Sequence, residues 1–261
     1  MEPLTHSLDR TIFIQASPET VFRYFTDSTR WARWWGAGSD IDARPGGAMK
    51  IRFPNGIEVS GEVLAVEQPR SIVFTYGYAT GSPIAPGGSR VTIQLEPRGR
   101  GTELKLSHQF ADAAMRDHHV QGWRFQLSLF SNAVADEVNA EAPRAVDEWF
   151  AAWAVEDPDA RLSALARITA DDVRFNDRYS AIAGREELAA HIGAAQRFMP
   201  KMRMERRGDA RHCQGIVLAD WAALAPDGQE RGSGSNVYVL GPDGRIESVT
   251  GFWHAAAGKT A

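Results

Sequence analysis

Ala170-Asp171-Asp172-Val173-Arg174-Phe175-Asn176-Asp177 decides how the second half of this chain is read. It ends one element on a doubled acid and runs into a strand that closes on a carboxylate. Further on, Asn236-Val237-Tyr238-Val239-Leu240 leads through the turn Gly241-Pro242-Asp243-Gly244 into Arg245-Ile246. In a cone-shaped α+β domain these two stretches would bring Asp177 and Asn236 into one cavity. A proton acceptor and a hydrogen-bond donor side by side are the minimum for moving a proton next to a carbonyl.

Around that stretch, Val146, Trp149, Phe150 and Trp153 fall at helical spacing. Pro158 interrupts the pattern, and Leu162, Leu165 and Ile168 carry a helix up to the doubled aspartate. Another helix is expected over 186–198, and strands near 202–208, 211–224, 231–240 and 245–253. Pro226-Asp227-Gly228 and Pro242-Asp243-Gly244 are turns between them. Helices followed by a meander of strands read as α+β.

The first half is organised differently. A strand over 10–15 precedes Ser17-Pro18-Glu19-Thr20, a helix start with serine as N-cap and proline in the first turn. Val21, Phe22 and Phe25 continue that helix. Trp31-Ala32-Arg33-Trp34-Trp35-Gly36 then packs three indoles into six positions. From Ile41 to Ser107, five turn signals imply about six short strands, with Asn55-Gly56 a two-residue hairpin. A long helix over 112–137 carries Met115, His119, Trp123, Phe130 and Val134 on one face. The expected architecture is a curved antiparallel sheet around a terminal helix, with a cavity between them. Residues 138–144 form a short linker or a shared helix break. The domains are therefore placed at 1–140 and 141–261.

Composition excludes several classes of function. The chain has 261 residues, 43% hydrophobic and 24% charged, with a net charge of -4. That is enough apolar material for two cores. Split at residue 140, acidic residues outnumber basic ones in both halves, which argues against nucleic acid as a partner. The one cysteine, Cys213, allows no internal disulfide and suits a reducing cytoplasm. The N-terminus lacks the pattern of a secretory signal, and no apolar run is long enough to span a membrane. A cytoplasmic protein without membrane attachment is expected. The chain has no His-Glu-x-x-His, no paired cysteines and no carboxylate cluster at ligand spacing, so neither a metal nor another cofactor is expected. Arg231-Gly232-Ser233-Gly234-Ser235 lacks the following helix that a phosphate loop requires.

Five ordered pieces of the first half carry a resemblance: Ala16-Ser17-Pro18-Glu19-Thr20-Val21-Phe22, Trp34-Trp35-Gly36, Arg44-Pro45-Gly46-Gly47, Gly101-Thr102-Glu103-Leu104 and His119-Val120-Gln121-Gly122-Trp123. Over roughly 8–138 the chain resembles the family named after the activator of the heat-shock protein 90 ATPase, in the START-like (SRPBCC) helix-grip superfamily. That resemblance implies an internal apolar cavity. The second half, over roughly 142–254, resembles the SnoaL-like branch of the nuclear transport factor 2 superfamily. The evidence is Ala170–Asp177, Gly184-Arg185-Glu186-Glu187-Leu188 and the terminal Gly251-Phe252-Trp253. That superfamily includes polyketide cyclases and ketosteroid isomerase beside many non-enzymes. The resemblance implies that Asp177 stands where the proton-shuttling carboxylate sits, and Asn236 where a protonated aspartic acid donates to the oxyanion. Trp149 stands near the donor tyrosine. The carboxylate is kept and both donors are changed, although an amide and an indole N–H still donate.

Asp177, Asn236 and Trp149 are thus the catalytic candidates. Candidate ligand contacts are Trp35, His119 and Trp123 in the first cavity, and Tyr179, His191, Trp253 and His254 in the second. Each has a plainer alternative. Asp177 caps the loop Arg178-Tyr179-Ser180 or pairs with Arg178, the indoles anchor helix ends, and His119 and Trp123 pack the core. Two functions remain open. One is cofactor-independent proton transfer, of isomerase or cyclase type, on a small hydrophobic carbonyl compound. The other is ligand carriage or dimerisation without chemistry, a homodimer being the family-level form. Stimulation of a heat-shock protein 90 ATPase is a third, more distant alternative.

Overall fold

The computed structural model describes residues 3–254. Contacts divide them into two units, one ending at Ala135 and the other beginning at Asp136. The division falls inside a helix, upstream of the sequence boundary at 140/141.

In the first unit, β1 (His6–Ile14) leads into α1 (Pro18–Arg23) and α2 (Ser28–Trp35). The Ser17 hydroxyl accepts from the Thr20 N–H at 3.3 Å, and the Asp27 carboxylate accepts from the Arg30 N–H at 2.9 Å, so each helix starts on a side-chain cap. Six strands follow: β2 (Asp40–Ile41), β3 (Ala48–Arg52), β4 (Glu58–Glu67), β5 (Ser71–Tyr78), β6 (Ser89–Arg98) and β7 (Gly101–Phe110). With β1 they form one seven-stranded antiparallel sheet in the order β1-β7-β6-β5-β4-β3-β2. The long α3 (Ala113–Val138) buries His119, Trp123, Gln126, Leu127, Phe130, Ala133 and Val134 on one face. Phe130 stacks on Phe25 at 4.9 Å, and the Gln126 amide donates to the Trp34 carbonyl. This is the helix-grip arrangement.

The second unit opens with α4 (Ala142–Ala152) and α5 (Pro158–Ile168). Pro158 begins α5, where its missing N–H costs nothing, and the Asp157 carboxylate caps the helix through the Ala160 N–H at 2.7 Å. Then come β8 (Thr169–Asn176), β9 (Ala181–Ala183), α6 (Arg185–Phe198), β10 (Arg203–Cys213), β11 (Ile216–Leu224), β12 (Glu230–Leu240) and β13 (Ile246–Trp253). The sheet order is β10-β11-β12-β13-β8-β9, antiparallel except for the parallel pair β13-β8. It is an open α+β cone with two edges, not a closed barrel.

Three local expectations are corrected. Asp171 and Asp172 lie inside β8 and not at a helix end, because the chain leaves helical geometry at Thr169. The short strand β9 was not anticipated. The break near residue 208 is only a register shift between Arg207 and Arg211. The actual reversal is Gln214-Gly215, both at positive φ (48° and 83°), as a two-residue hairpin turn requires.

One buried cation joins the helices of this unit. Arg161, 4% exposed, donates to the Ala189 carbonyl at 2.9 Å, the Val155 carbonyl at 2.7 Å and the Gln196 amide oxygen at 3.0 Å. These acceptors belong to α6 and to the turn after α4, so one side chain ties α5 to both. Arg161→Met removes those donors while preserving much of the stem. It should lower urea stability by about 2–4 kcal/mol, through acceptors left buried without partners; an unchanged midpoint would contradict this role.

Candidate functional site

Strand register builds the site. Asn236 pairs with Gly251 between β12 and β13, and Asn176 pairs with Thr250 between β8 and β13. Asp177, one residue past β8, and Asn236 therefore flank Gly251. A Cβ at that glycine would lie 3.1 Å from Asn236 Oδ1 and 3.2 Å from Asp177 Cβ. The absence of a side chain at 251 leaves the two polar groups facing the same space. That space is a cavity of about 500 Å³, within the usual size range of small-molecule sites. Its walls are Trp149, Trp153, Phe175, Trp221 and Trp253, closed on one side by Met199, Met202 and Met204. The thioethers give that side an adaptable surface.

Both polar groups are held by indoles. Asn236, 4% exposed, accepts from the Trp221 indole N–H at 3.0 Å. An indole N–H can only donate, which fixes the amide with Oδ1 toward Trp221. Its Nδ2 donates to the Tyr238 hydroxyl at 3.1 Å, leaving the second Nδ2 hydrogen without an acceptor among the described residues. Burial drives the Tyr238 phenol far above its ordinary range, so it remains a neutral hydroxyl. Asp177 Oδ2 accepts from the Trp253 indole N–H at 3.1 Å, and Oδ1 accepts from the Tyr179 backbone N–H at 2.8 Å. The carboxylate thus caps its loop and lines the cavity at once. Arg178 does not pair with it; its guanidinium lies over the Tyr179 ring at 5.7 Å.

Trp149 also lines this cavity, with ring centroids 5.7 Å from Phe175 and 6.0 Å from Tyr238. Tyr179, His191 and Trp253 join it, and His191 Nε2 sits 3.2 Å from the Ser180 hydroxyl. His254 does not. Its Nε2 meets the Ser235 hydroxyl at 3.2 Å, and Ser235 alternates with Asn236 and so faces the other side of β12. The sequence reading missed Trp221, which orients Asn236, and Gly234, whose Cβ would come within 2.6 Å of the Trp221 ring. The only signal for Gly234 was a glycine inside a strand pattern, which marks a close approach.

Trp35, His119 and Trp123 belong to the first unit and pack against one another's neighbours there. Trp35 meets Trp123 edge-on at 5.6 Å, and all three of Trp31, Trp34 and Trp35 are buried. Trp123 donates its indole N–H to His108 Nδ1 at 2.9 Å, which places the His108 proton on Nε2. That proton is donated to the Ser89 hydroxyl at 2.8 Å, which in turn donates to the Tyr76 carbonyl at 2.8 Å. His119 Nδ1 donates to the Met115 carbonyl at 2.7 Å. Its Nε2, like the Trp35 indole N–H, is buried without a protein partner. Among the described residues, no group of three or more His, Cys, Asp or Glu could hold a metal ion, and no helix is long and apolar enough to cross a membrane.

The model of the Activator of Hsp90 ATPase homolog 1-like protein family matches residues 15–135. None of the curated proteins compared matches the chain. Solved structures similar to parts of it include one from Agrobacterium tumefaciens strain C58, named as a candidate isomerase of the SnoaL-like family. It is 26% identical over 46% of this chain and 99% of its own, with a TM-score of 0.42. CalU16 from Micromonospora echinospora is 27% identical over 50% of this chain and 77% of its own, TM-score 0.42. The Aha1 dimer from Colwellia psychrerythraea is 20% identical over 50% and 96%, TM-score 0.44. Over residues 15–135 the first unit thus resembles the Activator of Hsp90 ATPase homolog 1-like protein family.

Burial lowers the affinity of His108 for a proton to well below the usual imidazole range, and lowers that of His119 as well. Below about pH 6.5 the unfolded chain takes up a proton at each histidine; the folded chain resists this at His108, and more weakly at His119, where the bond to the Met115 carbonyl works against burial. Stability is therefore fully present well above that pH and falls on acidification through it, the slope steepening toward a limit of about 1.4 kcal/mol per pH unit from His108. Urea unfolding between pH 7.5 and 5.5 should show this slope, and His108→Gln should reduce it. A slope unaffected by the substitution would contradict the assignment.

Proposed function

We propose that the second unit binds a small, ring-containing carbonyl compound and moves a proton on it without a cofactor. The observation that carries this reading is the pair Asp177 and Asn236, flanking Gly251 on the wall of an otherwise apolar, indole-lined cavity. In this mechanism a carboxylate oxygen of Asp177 removes the proton from the carbon next to the carbonyl. The electron pair shifts onto the carbonyl oxygen, which accepts the free Nδ2 hydrogen of Asn236. The proton then returns from Asp177 to carbon, so the step is redox-neutral and consumes no co-reactant. Trp149 supplies a flat wall, and its indole N–H is a second donor to the same oxygen.

The indole bonds are central to this proposal. Trp253 orients the Asp177 carboxylate, and Trp221 prevents Asn236 from flipping its amide oxygen toward the developing negative charge. The test uses 2-tetralone, a bicyclic ketone with acidic α-hydrogens, incubated with the protein in D₂O and followed by proton NMR. The chain should accelerate exchange at the α-carbon. Asp177→Asn should remove about 10²–10⁴ of that acceleration, while quenching of indole fluorescence still reports ketone binding. Full exchange activity in Asp177→Asn would overturn the mechanism.

Carriage of a ligand by the first unit is a second reading, resting on its match to the Activator of Hsp90 ATPase homolog 1-like protein family and the internal apolar cavity that the resemblance implies, with His119 a candidate contact. Native mass spectrometry of the freshly purified chain should then reveal a co-purified small molecule that is lost in His119→Leu. A mass equal to the bare polypeptide would count against carriage.

A further inference from the structure

We infer that the ligand of the second unit's cavity carries a carboxylate, and that Arg231 receives it at the cavity mouth; this rests on the reading of that cavity as a small-molecule site. Strand register determines where Arg231 points. Along β12, Asn236, Gly234 and Gly232 alternate on the cavity face, so regular pleating would turn Arg231 to the opposite face. The pairing with β11 is irregular at that point. Ala223 pairs with Gly232 but Leu224 pairs with Glu230, which leaves Arg231 as the extra residue of a bulge. A bulge re-aims the side chain it carries. Here Arg231 lines the cavity, the one cationic side chain among its lining residues.

The intervening surface separates the two charges. The Trp253 indole N–H is bonded to Asp177 at one end of the ring system. At the other end, Trp253 Cζ3 would come within 2.9 Å of a Cβ at Gly232, next to Arg231. The indole therefore spans from the Asp177 carboxylate to the strand position adjoining the guanidinium, and the apolar ring of a ligand lying along it would reach both. Phe198 and Tyr179, both exposed and both lining the cavity, would cover the remainder of such a ring. Within the protein, Arg231 has a weak competitor, the Asp227 carboxylate at 3.5 Å, with both side chains more than half exposed. A planar guanidinium held so loosely can exchange that contact for a paired, charge-assisted contact with a ligand carboxylate. A compound with an anionic tail at Arg231 and a carbonyl between Asp177 and Asn236 is an aromatic or polycyclic keto acid.

Matched probes test this: 2-naphthylacetic acid and its neutral amide, titrated by calorimetry into the full chain, Arg231→Gln and Asp227→Asn. The wild-type chain should bind the acid about tenfold more tightly than the amide. Arg231→Gln should bring the two affinities within about twofold, and Asp227→Asn should widen the preference severalfold. Equal binding of acid and amide by the wild-type chain would overturn the role of Arg231 while leaving the cavity as a binding site. Binding of neither probe would overturn both.

Discussion

An indole N–H donates one hydrogen bond and accepts none, and the second unit uses that one-way property to hold its polar groups inside an apolar cavity. Trp221 fixes Asn236 and Trp253 fixes Asp177. Without these donors the amide and carboxylate oxygens would face hydrocarbon walls, a costly arrangement. With them, the groups are satisfied and oriented, and the large rings that carry the donors also form the walls. Gly234 and Gly251 are the structural requirement, because side chains there would occupy the space of the Trp221 ring and of the gap between Asn236 and Asp177.

The first unit applies the same physics to a different end. Trp123 donates to His108, His108 to Ser89 and Ser89 to the Tyr76 carbonyl, a chain whose direction is set by the indole at one end and the carbonyl at the other. Such a fully satisfied network specifies a core and keeps the imidazole neutral. The polar atoms that the network leaves out, the Trp35 indole N–H and His119 Nε2, stand out because their neighbours are so completely paired.

How much of this was legible in the sequence follows from the range of the interactions. The helix start at Ser17 is local, a side chain bonded to a backbone three residues on, and it was readable; the equally local cap at Asp27 was passed over. Asp177, Asn236, Trp149 and Trp253 were singled out, chiefly through family resemblance, and share one cavity. The features that escaped depend on pairing between distant strands. The doubled aspartate belongs to β8 because Thr169 and Arg174 on either side of it pair with Ile246 and Ser248 of β13, which no local pattern announces. Arg231 reads as an outward strand residue until the register with β11 shows the bulge, and Trp221 has no signal that its partner lies on the next strand. Arg161 resembles any arginine on an amphipathic helix, since its acceptors come from backbone carbonyls elsewhere. His254 was misplaced for the converse reason: sitting beside a cavity residue in sequence puts a strand residue on the opposite face.

The central claim is that Asp177 and Asn236 address the same bound molecule. A crystal structure of the chain with 2-tetralone tests it most directly. The account predicts the carbonyl oxygen within hydrogen-bonding distance of Asn236 Nδ2 and the α-carbon about 3–3.5 Å from an Asp177 carboxylate oxygen. A ketone bound with its carbonyl directed away from both residues, or an Asp177 carboxylate swung out to solvent, would contradict it.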